Sequence, residues 1–180
     1  MTRPDVHPIL PSVTTVLTVL INPDDLIPHR RPELVTALRE LHAHHRLHRS
    51  AAADLAIEGL PSAAVSEAAE LACVAASDIE HTVYAIDCEV ARRLRARSVV
   101  PQATAPRHSE SVGAVLSRVV GLWIEVDDHR DGTEHLPAAP QLFELLDAYT
   151  HLSVELALGA RQLPTPRRPL PCRSEADGAR

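Results

Sequence analysis

Aromatic side chains are almost missing from this chain. Trp123, Phe143, Tyr84 and Tyr149 are the whole complement in 180 residues. Four rings cannot build the stacking platforms that single-stranded nucleic acids need. The core must then be Leu, Val, Ile and Ala, which suits closely packed helices. Lysine is absent, and all 18 basic residues are arginine. This is the usage a GC-rich genome produces. Net charge is −6 with histidine neutral, which argues against a duplex-binding surface. Cysteine is scarce and odd in number. Cys73 and Cys88 fall on one predicted helix, about 22 Å apart at 1.5 Å per residue, too far to bridge. Cys172 lies in a proline-rich tail. Reduced thiols and a cytoplasmic location are therefore expected. The apolar run Val13–Ile21 is too short to span a bilayer, and Asn22-Pro23 follows it where a signal peptide would have small residues. Phosphate-binding glycine loops, G-x-S-x-G elbows, Cys-x-x-Cys pairs and H-E-x-x-H motifs are all missing.

What the chain does have is helical spacing. Val13, Val16, Leu17, Leu20 and Ile21 repeat at helical intervals after Ser12, a candidate N-cap. Their β-branched content pulls toward a strand, and a short helix is the reading taken. A loop with Pro23 and Pro28 follows. A long helix is predicted from Pro32, with Glu33 in its first turn and a stripe of Leu34, Leu38, Leu41, His45, His48, Ala52 and Leu55, closed by Gly59. A second begins at Pro61-Ser62, on Val65, Ala69, Ala72, Ala76, Ile79, Val83, Ile86, Val90 and Leu94, and ends in ARRLRAR. A third covers about 109–128 and a fourth about 140–161, the latter on Leu142, Leu145, Tyr149, Leu152 and Leu156. The expected fold is all-α: a four-helix bundle with a short extra N-terminal helix. Residues 1–11 are expected to be flexible, 12–163 to form one domain, and 164–180 to be a disordered Pro/Arg-rich tail.

Three clusters could carry chemistry. LHAHHRLHR places His42, His44, His45 and His48 on one helix, with His45 and His48 on its seam. These two are candidate metal ligands if carboxylates converge on them from other helices. Asp78 with His81, Glu125 with His129 and Asp147 with His151 have suitable spacing, but phase puts most of these pairs on outer faces as ordinary ion pairs. The second cluster is RHSESVG, Arg107–Gly113. Ser109 or His108 can cap the third long helix, with Glu110 complementing its dipole. Alternatively Arg107, His108, Ser109 and the free amides form an anion site, or His108 is a general base oriented by Glu110. The third is Glu80, Tyr84 and Asp87, with Arg118 on the next helix; a solvated polar face is the plain reading. The eleven histidines should make net charge, and so solubility, sensitive to pH between about 5 and 7.

LHR (Leu47–Arg49), AIDCEVARRLRAR (Ala85–Arg97) and HSESVGAVLSR (His108–Arg118), in that order, resemble an uncharacterised bacterial domain-of-unknown-function family. Its members are small, helical and intracellular, with a His-Ser/Thr-Glu-Thr/Ser-x-Gly signature before a helix. The resemblance spans about residues 12–163. Ser117-Arg118 stands where the family has Asp-Arg, which puts any Asp-dependent chemistry in doubt, and Ile86-Asp87 fits the family's middle helix. The resemblance implies no reaction. It does imply that His108 and Glu110 serve for more than a cap.

Two function classes stay open. One is a non-catalytic module that binds a protein partner or a second copy, through the alanine-rich face of the second long helix or through the tail. The other is an enzyme or a binder of an anion or phosphorylated metabolite, with His108, Ser109, Glu110, Arg118 and Asp87 as its site and His45 and His48 added in a metal-dependent version. The lack of a catalytic motif puts the first ahead. The pocket reading requires His108 and Asp87 around one cleft. Neither a nucleic-acid nor a membrane partner is expected, and no ligand or cofactor can be named.

Overall fold

The computed structural model describes residues 9–24, 32–129 and 137–169. They form five helices: α1 (Val13–Ile21), α2 (Pro32–Leu55), α3 (Ser62–Ala96), α4 (Val112–Asp128) and α5 (Ala138–Ala157). No strand occurs among the described residues, and the one β contact there is an isolated parallel bridge between Arg107 and Gln162.

The helix ends follow local chemistry. Ser12 is extended, and its hydroxyl accepts from the Thr15 amide at 3.1 Å, so α1 starts as expected. α2 stops at Leu55, short of Gly59, in two tight turns where the Ala56 and Ile57 amides bond back three residues. α4 starts at Val112 rather than Ser109: Ser111 is the cap, and its hydroxyl accepts from the Ala114 amide at 3.2 Å. α5 runs from Ala138 to Ala157 and stops short of Arg161, because Gly159 turns left-handed at φ +66°. A side chain at Gly159 would also meet the Val100 carbonyl at 2.8 Å.

α2 lies along α3, α4 packs on α5, α3 and α2, and α1 sits on α2 and α5. The core is aliphatic, built from Leu34, Leu38 and Leu41 of α2, Ile86 and Val90 of α3, Val112 to Ile124 of α4, and the expected α5 stripe. Tyr149 is its one aromatic, and the hydroxyl donates to the Pro11 carbonyl at 2.8 Å. Ile9 and Leu10 are fully enclosed, so packing extends upstream into the segment expected to be loose. Residues 1–8 of that segment and 170–180 of the tail lie outside the described residues, as do Arg30, Arg31 and most of the loop after α4.

Two stripes shift. In the first half of α3, Val65 and Ala69 are exposed, while Ala68, Ala75 and Thr82 are buried at seven-residue steps. That half rests on α2, and only further along does α4 also claim a face of α3, which brings Ile79 and Val83 inward. On α2, Ala52 and Leu55 are exposed and Ala51 is buried instead.

Candidate functional site

The N-terminus of α4 is pressed onto α3. A Cβ at Gly113 would fall 2.4 Å from the Val83 carbonyl oxygen, so only glycine permits this approach. Asp87 of α3 then reaches the first turn of α4. Its Oδ1 accepts from the Gly113 amide at 2.7 Å, and the Ser111 hydroxyl donates to its carboxylate. Burial pushes the Asp87 carboxyl above its ordinary value, while those two hydrogen bonds pull the other way. Asp87 and Ser111 thus take the Gly113 and Ala114 amides, the donors an external anion would need at this helix end.

Glu110 faces Arg118 instead, at 2.8 Å, across a partly exposed surface. The His108 ring does not meet the Glu110 carboxylate: its Nδ1 lies 2.7 Å from the Glu110 backbone carbonyl oxygen, which leaves Nε2 turned away from it. The general-base pairing therefore finds Glu110 engaged with Arg118 and only its main chain beside His108. The segment is fixed from outside. The His108 amide donates to the Gln162 carbonyl at 2.8 Å, and the Gln162 amide to the Pro106 carbonyl at 3.0 Å. Beside this bridge, Arg161 grips Glu155 with two hydrogen bonds of 2.8 Å, and that contact holds the Glu155 carboxyl below its ordinary value.

Two neighbouring cavities result. One, about 570 Å³, lies between α3 and α4, with Ile79, Val83 and Ala114 on its walls, Asp87, Glu110 and Arg118 around them, and Arg167–Pro169 alongside. The other, about 540 Å³, is lined by Arg107, His108, Ser109, Pro164, Thr165, Pro166 and Arg167. Arg167 belongs to both. Asp87, Glu110 and Arg118 are thus brought together, and His108 and Ser109 stand in the adjoining cavity. Sequence reasoning missed Arg167 and Thr165. They lie in a segment that composition alone reads as tail, and the only signal was the basic pair in PTPRR.

The histidine cluster takes a different part. His45 Nε2 lies 2.8 Å from the Ser117 hydroxyl, bridging α2 to α4. Burial, then the neighbouring His48, His42 and His44, depress the His45 pKa to about 4. His42 is buried, its Nε2 has no partner among the described residues, and its pKa is lowered by burial and then by Arg46. His44 pairs with Asp78 at 3.7 Å, while His81 turns its Nδ1 to the Ser77 carbonyl and His129 its Nδ1 to the Glu125 carbonyl. His151 meets Asp147 at 3.5 Å on an exposed face of α5. Among the described residues, carboxylates do not converge on His45 and His48, and no group of three or more His, Cys, Asp or Glu could hold a metal ion. Nor is any described helix long and apolar enough to cross a membrane.

No protein-family model, curated protein or solved structure matches the chain.

Proposed function

We propose that this chain is a non-catalytic binding protein for an organic anion. The carrying observation is the cavity beside α4: Arg107, Arg167, His108, Ser109 and Thr165 line it, with no Asp or Glu among its described lining residues. Guanidinium forks and hydroxyls suit a phosphate or carboxylate. Arg167 also borders the α3–α4 cavity, where Ile79, Val83 and Ala114 offer room for an apolar body. The ligand class is therefore an anionic head on a hydrocarbon part, with Arg118 and Glu110 also lining the cavity for that part. The anion is held by side chains and not by the α4 amides, which Asp87 and Ser111 occupy.

The same reading takes α2 to α5 as a four-helix bundle with α1 on its side, supported by the packing of α2 on α3, α3 on α4, α4 on α5 and α2 on α4. It keeps the resemblance to the bacterial family with the His-Ser/Thr-Glu signature, and it places the protein in the cytoplasm.

The test is thermal stabilisation by three probes: inorganic phosphate, an alkyl phosphate and the matching neutral alcohol. The alkyl phosphate should raise Tm more than inorganic phosphate, and the alcohol should leave it unchanged. Arg107→Ala and Arg167→Ala should each remove the response. A chain that responds to none of the three, or equally to the alcohol, does not have this function.

A further inference from the structure

The half of α3 that α4 does not reach leaves a groove against α2. Helical register sets Leu47, Ala51 and Asp54 of α2 beside Glu67, Leu71, Val74 and Asp78 of α3 on one side of the pair. The His44–Asp78 contact ties the two helices at one end of that side. At the other, Asp54, Ile57, Leu60, Glu67 and Leu71 line a cavity of about 290 Å³. Leu47, Ile57, Leu71 and Val74 are 40 to 55% exposed, so no described part of the chain covers this strip. A run of exposed aliphatics at helical spacing is the shape that accepts a helix.

Charge selects the occupant. From Ser50 to Ala91 the chain has eight acidic residues and no arginine. Asp54 and Glu67 line the groove itself, and Glu70 flanks it. The arginines nearest its α2 end are already engaged: Arg46 with Asp127 and Asp128, and Arg49 with Asp128. A second copy docking the same face would set these carboxylates against their own counterparts, which is unfavourable. We propose that the α2–α3 groove docks a basic amphipathic helix of a partner protein, with aliphatic anchors over Leu71 and Val74 and Arg or Lys facing Asp54, Glu67 and Glu70.

The probe is a labelled amphipathic peptide of leucine and lysine, about five turns long, set against a leucine/glutamate peptide with the same apolar face. Fluorescence anisotropy with the full chain should show binding of the lysine peptide only, weakening as salt rises. Leu71→Gln/Val74→Gln and Glu67→Arg/Glu70→Arg should each weaken it by about tenfold or more. Val154→Gln, which removes an exposed aliphatic from α5, should leave it unchanged. Glu67 and Glu70 are both exposed, so their reversal tests the groove even if the apolar variant folds poorly. The proposal is overturned if neither peptide binds, if both bind alike, or if Val154→Gln weakens binding as much as the groove variants. A homodimer that the Glu67→Arg/Glu70→Arg chain strengthens or the Leu71→Gln/Val74→Gln chain dissolves would give the groove to a second copy and overturn it equally.

Discussion

Gly113 and His45 show how single positions set the behaviour of this protein. A methyl group at Gly113 would overlap the Val83 carbonyl, a backbone atom that cannot swing aside. Gly113→Ala should cost about 1–3 kcal/mol, as overpacking does, read as a lower midpoint in urea unfolding. His45 acts through protonation. Its folded pKa is about 4 against an ordinary 6.5. Between those values the unfolded chain binds a proton that the folded chain refuses, so stability is full above about pH 6.5 and falls as pH drops toward 4. His42, shifted the same way, adds to the slope. His45→Asn should flatten the dependence of the unfolding midpoint between pH 6.5 and 4. A variant that keeps the full slope would mean that His45 is not its source.

Among the helices, the start of α4 makes the sharpest claim. Ser111→Ala should lose about 1 kcal/mol, the worth of an N-cap, whereas Ser109→Ala should leave urea stability nearly unchanged. Equal losses would mean that the helix begins earlier. The HSESVG stretch announced a cap, but three of its residues are able to serve as one. What selects Ser111 is Asp87, a residue 24 positions back that takes the next amide. Spacing within a helix cannot reveal that partner. All five residues expected on the α5 stripe are buried, because one face of α5 meets the core throughout, and Ala138 and Leu146 join them. The first half of α3 was not legible, since alanines at 68, 69, 72, 75 and 76 make neighbouring stripes nearly equivalent by composition. Only the position of α2 decides between them. The clustering of Asp87, Glu110 and Arg118 stood in the sequence only as what the pocket reading requires, against a plain reading of Asp87 as part of a solvated face, and the arrival of Arg167 beside them was not expected at all. It depends on the Arg107–Gln162 bridge, a backbone contact with no side-chain signature.

That bridge sets where the segment after α5 lies. Deleting residues 164–180 should leave helix content by circular dichroism unchanged and Tm nearly so, since among the described residues the enclosed core ends at Leu156. The same deletion should abolish stabilisation by an alkyl phosphate, because Thr165 and Arg167 go with it. Retained stabilisation would put the ligand elsewhere. A ribosome makes Gln162 and Arg167 only after all five helices, so this cavity wall leaves the exit tunnel after them. Until then the gap between Ile79, Val83 and Ala114 has at its edge only Arg118, which is paired with Glu110. Newly made chain would bind ligand only once Arg167 has cleared the tunnel, later than the α3 and α4 residues that form the gap.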